Sequence, residues 1–545
     1  MNDPTGTYAF AYDNMGRLIG TTTSYTFLTG RTFTASYSYD AASNRTGFTD
    51  PEGGASTYAY DTLNRLTTLT PPAAYGTGSF GLSYDALSRR TQMTRPNGVN
   101  SNYTYDSLSR LVSVLHQAGA STIDGATYTV DAAGNRTSKT DRLAGVTSNY
   151  AYDAIYELTN VTQGTNTTES YTYDPVGNRL SSLGVSPYSY NVSNQLTAKP
   201  GATYTYDNNG NTLTKVDSSG TTTFAWDFEN RLTSVTLPGS GGSVAFKYDP
   251  FGRRIYKSSS VGTSVFAYDG DNLAEETNAS GGVVARYSQG LNIDEPLVML
   301  RSGTTSFYNA DGLGSVTSLS NPAGTLAQTY QFDSFGKLSN STGSLVNPFR
   351  YTARDFDTEI NLQFSRARYY DPSVGRFISE DPARYDDNQN FFKYALNNPT
   401  IYLDPSGLFV EILCEPITQY WLGYWRRAKH CRVHAKCDSL DKTFELEGPR
   451  PGSRHGNPRA DNFDPSRPAN PRIPVQPPKD SKDCSSCKFE NCIAKQFSFY
   501  FTNQQALPDY HFIKANSNQF AKDLISSCGG NVYFPFWGGF YGEVH

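Results

Sequence analysis

One short word recurs along most of the 545-residue chain: aromatic-x-Tyr-Asp, three variable residues, Arg-Leu, then a run of Thr, Ser and Val. It reads "FAYDNMGRLIG" at 10–20, "YAYDTLNRLTTL" at 58–69, "YTYDSLSRLVSV" at 103–114, "YTYDPVGNRLSS" at 171–182, "FAWDFENRLTSV" at 224–235 and "FKYDPFGRRIYK" at 246–257. A spacing of ~20 residues between units is the signature of a repeat architecture, in which each unit is completed by its neighbours. Alternation puts Tyr103 and Tyr105 on one face of a strand. Asp and Asn at the turn bond their own backbone, and Gly supplies a positive φ. "GRL" or "NRL" then starts the return strand, so each unit is a β-hairpin.

A lone hairpin is marginal in water, so the units must stack. The expected fold is mainly β: one coiled, antiparallel hairpin-repeat sheet. A propeller or an irregular β-solenoid is the competing reading, but propeller blades need ~40–50 regular residues, and these units are shorter and uneven. Composition agrees, with 39 Tyr, 31 Phe and 47 Gly against a hydrophobic fraction of only 37%. No run of ~18 apolar residues is present to cross a membrane. The start, "MNDPTGTYAFAYDNMGRL", lacks the basic and apolar regions of a secretory signal. It opens almost inside a repeat, as the tail of a longer ancestral protein would.

The pattern stops at "YLDPSGLFVEILCEP", residues 402–416. All seven cysteines (Cys414, Cys431, Cys437, Cys484, Cys487, Cys492 and Cys528) and five of the six histidines follow this seam. Residues 409–545 carry 17 Lys+Arg against 14 Asp+Glu, a net +3, whereas the repeat region is at −8. Neither value argues for nucleic acid as a partner.

These words resemble the YD repeats of the RHS/YD family. Residues 246–408 resemble the RHS-repeat-associated core, through "YDPFGRRIYK" (248–257), "YNADGLGSVTSL" (308–319), "YQFDSFGKL" (330–338), "FRYTARDFDTEINLQFSRARYYDPSVGRFISEDP" (349–382) and "YALNNPTIYLDPSGL" (394–408). The family includes bacterial Rhs polymorphic toxins, the C components of insecticidal Tc toxins, and teneurins. The resemblance implies a sheet that spirals into a hollow shell over 1–245 and a core over 246–408 that folds inward to plug one end. It also implies an exchangeable C-terminal region after DPxGL, often a toxin held in the shell. The partners implied are that C-terminal region, an immunity protein, and a secretion-system or surface component. Localisation would be secreted or cell-surface. Known toxin shells are longer than 408 residues, so this one is expected to be short, open at one end or completed by another chain.

The resemblance also implies self-cleavage after DPxGL by an aspartyl-protease-like pair. Two carboxylates held close cannot both ionise, so one stays protonated as acid while the other activates water. The matching residues are Asp381 in "SEDP" and Asp404 in "DPSGL", with Arg368 in "ARYYDP" 13 residues before Asp381 to orient a carboxylate or lower its pKa. The scissile bond is Leu408–Phe409. Asp-Pro and Asp-x-x-Gly are also ordinary turn chemistry.

The tail divides in three. In 409–448, Trp421, Leu422, Tyr424 and Trp425 form the apolar face of a helix, with Arg426, Arg427 and Lys429 opposite. Residues 449–478 hold nine prolines and read as a linker. Residues 479–545 read as a small α+β domain with helices from about Glu490 and from Asn516 or Ser517 to Gly529. One CxxC at 484–487, with Cys492, Cys431, Cys437, His430 and His434, offers Zn²⁺ ligands; disulfides are the alternative, and seven cysteines leave one unpaired. "ANSNQFAKDLISSCGG" (515–530) is similar to papain-fold segments in which a cysteine opens a helix, but Ser517 stands at that position. His511 is the available partner, and a plain helix cap explains Ser517 as well. No cofactor is implied.

Two functions follow from different classes. One is an RHS-type polymorphic toxin that encloses or presents a self-cleaved C-terminal region. The other is a cell-surface interaction protein with a non-enzymatic tail.

Overall fold

The computed structural model describes residues 1–383 and 390–408, and the strands Leu413–Pro416, Lys429–Cys437 and Leu440–Glu445. Up to Leu408 the chain is almost all strand and turn. Two large sheets take up most of it: a 17-stranded sheet running from Asn2 to Ser182 and a 16-stranded sheet from Ser189 to Thr342. Each strand pairs antiparallel with the next in sequence, and the first and last strands of a sheet do not pair with each other among the described residues. The sheets are therefore open ribbons of hairpins. The helical residues described here are three single 3₁₀ turns, Ala73–Tyr75, Tyr351–Ala353 and Ala395–Asn397.

The turn explains the repeated word. In the unit at 58–69, Asp61 Oδ1 accepts the backbone N–H groups of Leu63 (2.9 Å) and Arg65 (3.0 Å). Asn64 closes the turn with a φ of +57°, a conformation Asn tolerates better than most residues. Arg65 then binds twice. Its Nε donates to Asp61 Oδ2 at 2.7 Å, and its Nη1 donates to the carbonyl of Asp85 in the next turn at 3.2 Å. The guanidinium lies 4.9 Å from the ring centre of Tyr84, and the Tyr84 hydroxyl reaches back to the Leu66 carbonyl at 2.8 Å. The same parts recur at Arg17 with Tyr39 and at Arg89 with Tyr105. Asp makes the turn, Arg staples it to the next, and the second Tyr staples the next strand back.

The two sheets pack on each other in step. The Tyr25 hydroxyl donates to the Phe266 carbonyl at 2.8 Å, Arg95 Nη2 to the Tyr308 carbonyl at 2.9 Å, Thr317 Oγ1 to Asp124 Oδ2 at 2.6 Å, and the Ser334 N–H to Glu169 Oε1 at 3.1 Å. Partners advance together along the sequence, as they must in a coil whose second turn lies along its first. The apolar core fills this seam, with Tyr8, Tyr25 and Phe33 against Ile255 and Val265, and Phe48, Leu69 and Phe80 against Val298 and Phe307.

Residues 349–408 add a four-stranded sheet, Asp355–Asp357, Leu362–Ser365, Arg368–Asp371 and Arg376–Phe377. This segment bonds to both ribbons: Asn390 to Asn178 and Asn397 to Glu157 on the first, Arg254 to Asp357 and Thr212 to the Ile378 carbonyl on the second.

Beyond the seam, Leu413–Pro416 pairs antiparallel with Lys429–Cys437, which pairs with Leu440–Glu445; Cys414 stands opposite Cys431 in register. The helical reading of 421–429 is corrected at its end, because Lys429 opens a strand. Cys431, Val433, Ala435 and Cys437 alternate with Arg432, His434 and Lys436, the period-two pattern of a strand. Trp421 to Arg427, the 449–478 linker, Cys484, Cys487, Cys492, Cys528, Ser517 and His511 lie outside the described residues.

Candidate active site

The hairpin formed by Leu362–Ser365 and Arg368–Asp371 turns at Arg366 and Ala367, with Ser365 opposite Arg368 and a φ of +54° at Arg366. Its tip grips the "DPSGL" segment. The Ala367 N–H donates to the Ser406 carbonyl at 3.1 Å. Arg366 donates to the Pro405 carbonyl while paired with Asp294 at 2.7 Å. Gly407 passes with a φ of +70°, and a Cβ there would lie 2.3 Å from the Ser365 carbonyl oxygen. Only glycine lets the chain pass so near the hairpin.

Arg368, Asp381 and Asp404 meet at this point. Arg368 is almost wholly buried, and its guanidinium carbon is 3.6 Å from the ring centre of Phe377. Every arm of the guanidinium has a partner. Nε donates to the Gly407 carbonyl at 2.5 Å and Nη1 to the Phe391 carbonyl at 2.9 Å. Nη2 lies between the two carboxylates, 2.8 Å from Asp381 Oδ2 and 3.2 Å from Asp404 Oδ2. Asp381 is fixed through its backbone, whose N–H donates to the Phe391 carbonyl at 3.0 Å. Asp404 Oδ1 accepts the Leu408 N–H at 3.1 Å, which ties it to the residue before the seam.

The carboxylates differ in environment. The Asp381 side chain keeps 15% exposure and the Asp404 side chain 1%. Burial raises the Asp404 carboxyl above the usual carboxylate range; Arg368 opposes the rise and the Asp381 charge adds to it. Burial also lowers the pKa of Arg368. The arrangement can thus hold one protonated and one solvent-reaching carboxyl side by side.

Three contributors lay beyond the motif reading: the Phe377 ring, the Phe391 carbonyl and the Ser406 hydroxyl, which is 3.2 Å from the Leu408 carbonyl oxygen. Ser406 had a local signal, a hydroxyl at the variable position of the seam motif. The other two depend on strand placement. Among the described residues no group of three or more His, Cys, Asp or Glu is placed to hold a metal.

The Teneurin YD-shell family model matches residues 142–401, and the RHS Repeat model matches 39–74. The chain is 31% identical over 284 residues to the tRNA3(Ser)-specific nuclease WapA of Bacillus spizizenii, 49% of this chain and 12% of that protein. It is 32% identical over 108 residues to Toxin protein Tse5 of Pseudomonas aeruginosa, 20% of this chain and 8% of that protein. It therefore spans only a small part of the curated relatives it matches. Among solved structures, TcdB2-TccC3-Cdc42 superposes with a TM-score of 0.64 at 19% identity, covering 74% of this chain and 24% of that one. TcdB2-TccC3 without its hypervariable C-terminal region gives 0.58 at 18% identity, again covering 74% and 24%. At such identities the likeness is one of fold. Taken together with the hairpin ribbons and their Tyr-Asp turns, these matches make the chain a member of the RHS/YD-repeat family, built on a YD shell.

Proposed function

We propose that residues 1–408 are the shell and core of an RHS-type polymorphic toxin, that the region from Phe409 on is its variable effector module, and that the chain cuts itself at Leu408–Phe409. The observation that carries the reading is the buried Arg368 held between Asp381 and Asp404, with Asp404 bonded to the Leu408 N–H. In this mechanism Asp381, the carboxylate that solvent reaches, takes a proton from a water whose oxygen adds to the Leu408 carbonyl carbon. Protonated Asp404 supplies the acid. The C–N bond breaks, the Phe409 nitrogen takes a proton, and the sum is addition of one water. Arg368, in contact with both carboxyls, holds them beside the seam.

Support for an effector tail comes from the relatives, among them a nuclease and a toxin, and from a structural neighbour solved without its hypervariable C-terminal region. The partners in this reading are the tail itself, an immunity protein and a delivery component, and the site of action is outside the producing cell.

Two experiments test the reading. Purified full-length chain should give fragments of 408 and 137 residues on a denaturing gel. Residues 409–545 expressed alone in cytoplasm and then in periplasm should arrest growth in one compartment. An intact chain with a harmless tail would favour the surface-interaction reading.

A further inference from the structure

We infer that Ser406 is a catalytic residue of this cut: its hydroxyl donates to the Leu408 carbonyl oxygen and stabilises the negative charge that develops there. The inference rests on the self-cleavage reading and deepens it. The carboxyl pair supplies proton transfer, but attack on an amide also needs a donor for the carbonyl oxygen. Such donors are often the largest single electrostatic contribution to acyl transfer.

The geometry is local and specific. Ser406 Oγ is 3.2 Å from the Leu408 carbonyl oxygen, 3.1 Å from the Leu408 nitrogen and 3.3 Å from Asp404 Oδ1. The Leu408 N–H points at both Oγ and Asp404 Oδ1, so Oγ accepts there and keeps its own proton to give. That single proton has two acceptors in reach, the Asp404 carboxyl and the Leu408 carbonyl. An ionised Asp404 competes for it. A protonated Asp404 is a much weaker acceptor, so the state that serves as acid is also the state that frees the hydroxyl for the carbonyl.

Ser406 is held from both sides. Its own carbonyl accepts from Ala367, and the following residue, Gly407, is clamped by Arg368 Nε. A hydroxyl placed by fixed backbone pays no reorganisation cost when the reaction begins. As water adds to the Leu408 carbon, the carbonyl electron pair moves onto oxygen, where the Ser406 O–H meets it. When the C–N bond breaks, the pair returns and the proton goes to the Phe409 nitrogen. Ser406 is unchanged at the end.

The test uses the full chain made in cell-free translation, with accumulation of the 137-residue fragment followed over time. Ser406→Ala should slow cleavage roughly 10²-fold. Ser406→Thr and Ser406→Val are matched in size and differ in the hydroxyl, so Thr should cut near the native rate and Val as slowly as Ala. Thermal melts of all variants show whether the fold is kept. Native-rate cleavage in Ser406→Val, or equal loss in Thr and Val, overturns the role of the hydroxyl. A chain that cuts in the native form and not as Asp404→Asn, yet ignores Ser406→Val, refutes Ser406 alone. A native chain that never cuts refutes the self-cleavage reading and this inference with it.

Discussion

Arg368 Nη2 sits 3.2 Å from Asp404 Oδ2 with both side chains at 1% exposure. A pair this buried is a poor source of net stability, yet removing one member is severe, because the other stays charged and unsolvated. Arg368 also holds two backbone carbonyls, so a lysine that keeps the charge cannot replace the fork. Arg368→Ala should destabilise residues 1–408 by roughly 3–5 kcal/mol in denaturant titration. Arg368→Lys should keep more of the fold and still cut at least about tenfold more slowly, by loss of positioning. Native cleavage in Arg368→Lys would remove the fork from the mechanism.

The pH dependence follows from Asp404. Its folded pKa lies above the ordinary value because of burial, so the protonated form survives to higher pH than in an exposed aspartate. Cleavage that needs this proton should be fast below the raised pKa and fall as pH rises through it. A pH–rate profile of the full chain should show that descending limb displaced upward from the usual carboxylate range near pH 4, and Asp404→Asn should abolish the reaction at every pH. A profile with no descending limb at any pH where the chain stays folded would mean Asp404 is not the acid.

Asp333 makes a separate claim about stability. Burial and the nearby Glu169 charge raise it to about 7. The unfolded chain gives up this proton near the normal value, and the folded chain keeps it until about 7. The group's stabilising share is therefore complete at low pH and is lost as pH rises toward its folded pKa. Asp333→Asn keeps the turn, since Asn321 already accepts the Ala323 and Thr325 N–H groups in the same role. The variant should gain on the order of 1–3 kcal/mol at pH 8 and nothing at pH 4. Equal stability of the two proteins at both values would refute the linkage.

Gly407 should tolerate no side chain. Alanine at a φ of +70°, with its Cβ 2.3 Å from the Ser365 oxygen, must lift the seam off the hairpin. Gly407→Ala is expected to lose cleavage while the melting temperature of residues 1–408 changes little, because Gly407 lies at the end of that unit. A Gly407→Ala protein that still cuts would detach seam geometry from the chemistry.

How much of this was legible depended on distance along the chain. The hairpin was readable because its parts, Tyr103, Tyr105 and the Asp106 turn, lie within a few residues and have one role each. The staple from Arg89 to the Asp106 carbonyl was not, because it joins neighbouring units, and nothing local distinguishes it from a solvated arginine. The contact of Tyr25 with Phe266, 241 residues away, depends on the pitch of the coil. Arg368, Asp381 and Asp404 could be picked out by motif, but that the arginine lies between the carboxyls depends on the Leu362–Asp371 hairpin. The Ser406 hydroxyl is visible in the seam motif, but a serine in a turn already has a sufficient reason to be there.

The stapling follows a pairing rule that can be tested. At 17, 65 and 89 Arg fills the fifth turn position and its Nη1 also lies near a serine at the fourth position of the next turn, Ser43, Ser88 and Ser109, whereas the turn after Arg110 has Gly134 there and Arg110 keeps the Asp131 carbonyl. Where Asn fills it, as at 44, 178 and 211, its Nδ2 donates at 2.8 Å to an asparagine there, Asn64, Asn194 and Asn230. The shorter side chain needs the longer partner to bridge the same gap. Arg89→Asn alone should therefore cost about 1 kcal/mol, since it loses the Asp106 carbonyl and the Tyr105 ring. Ser109→Asn alone should be near neutral, because Asn accepts the left-handed conformation that Ser109 adopts at a φ of +65°. The double variant should recover part of the loss, with a coupling of roughly 0.5–1 kcal/mol in a double-mutant cycle. Strict additivity would show that the Asn–Asn contacts follow from the turns rather than hold them together.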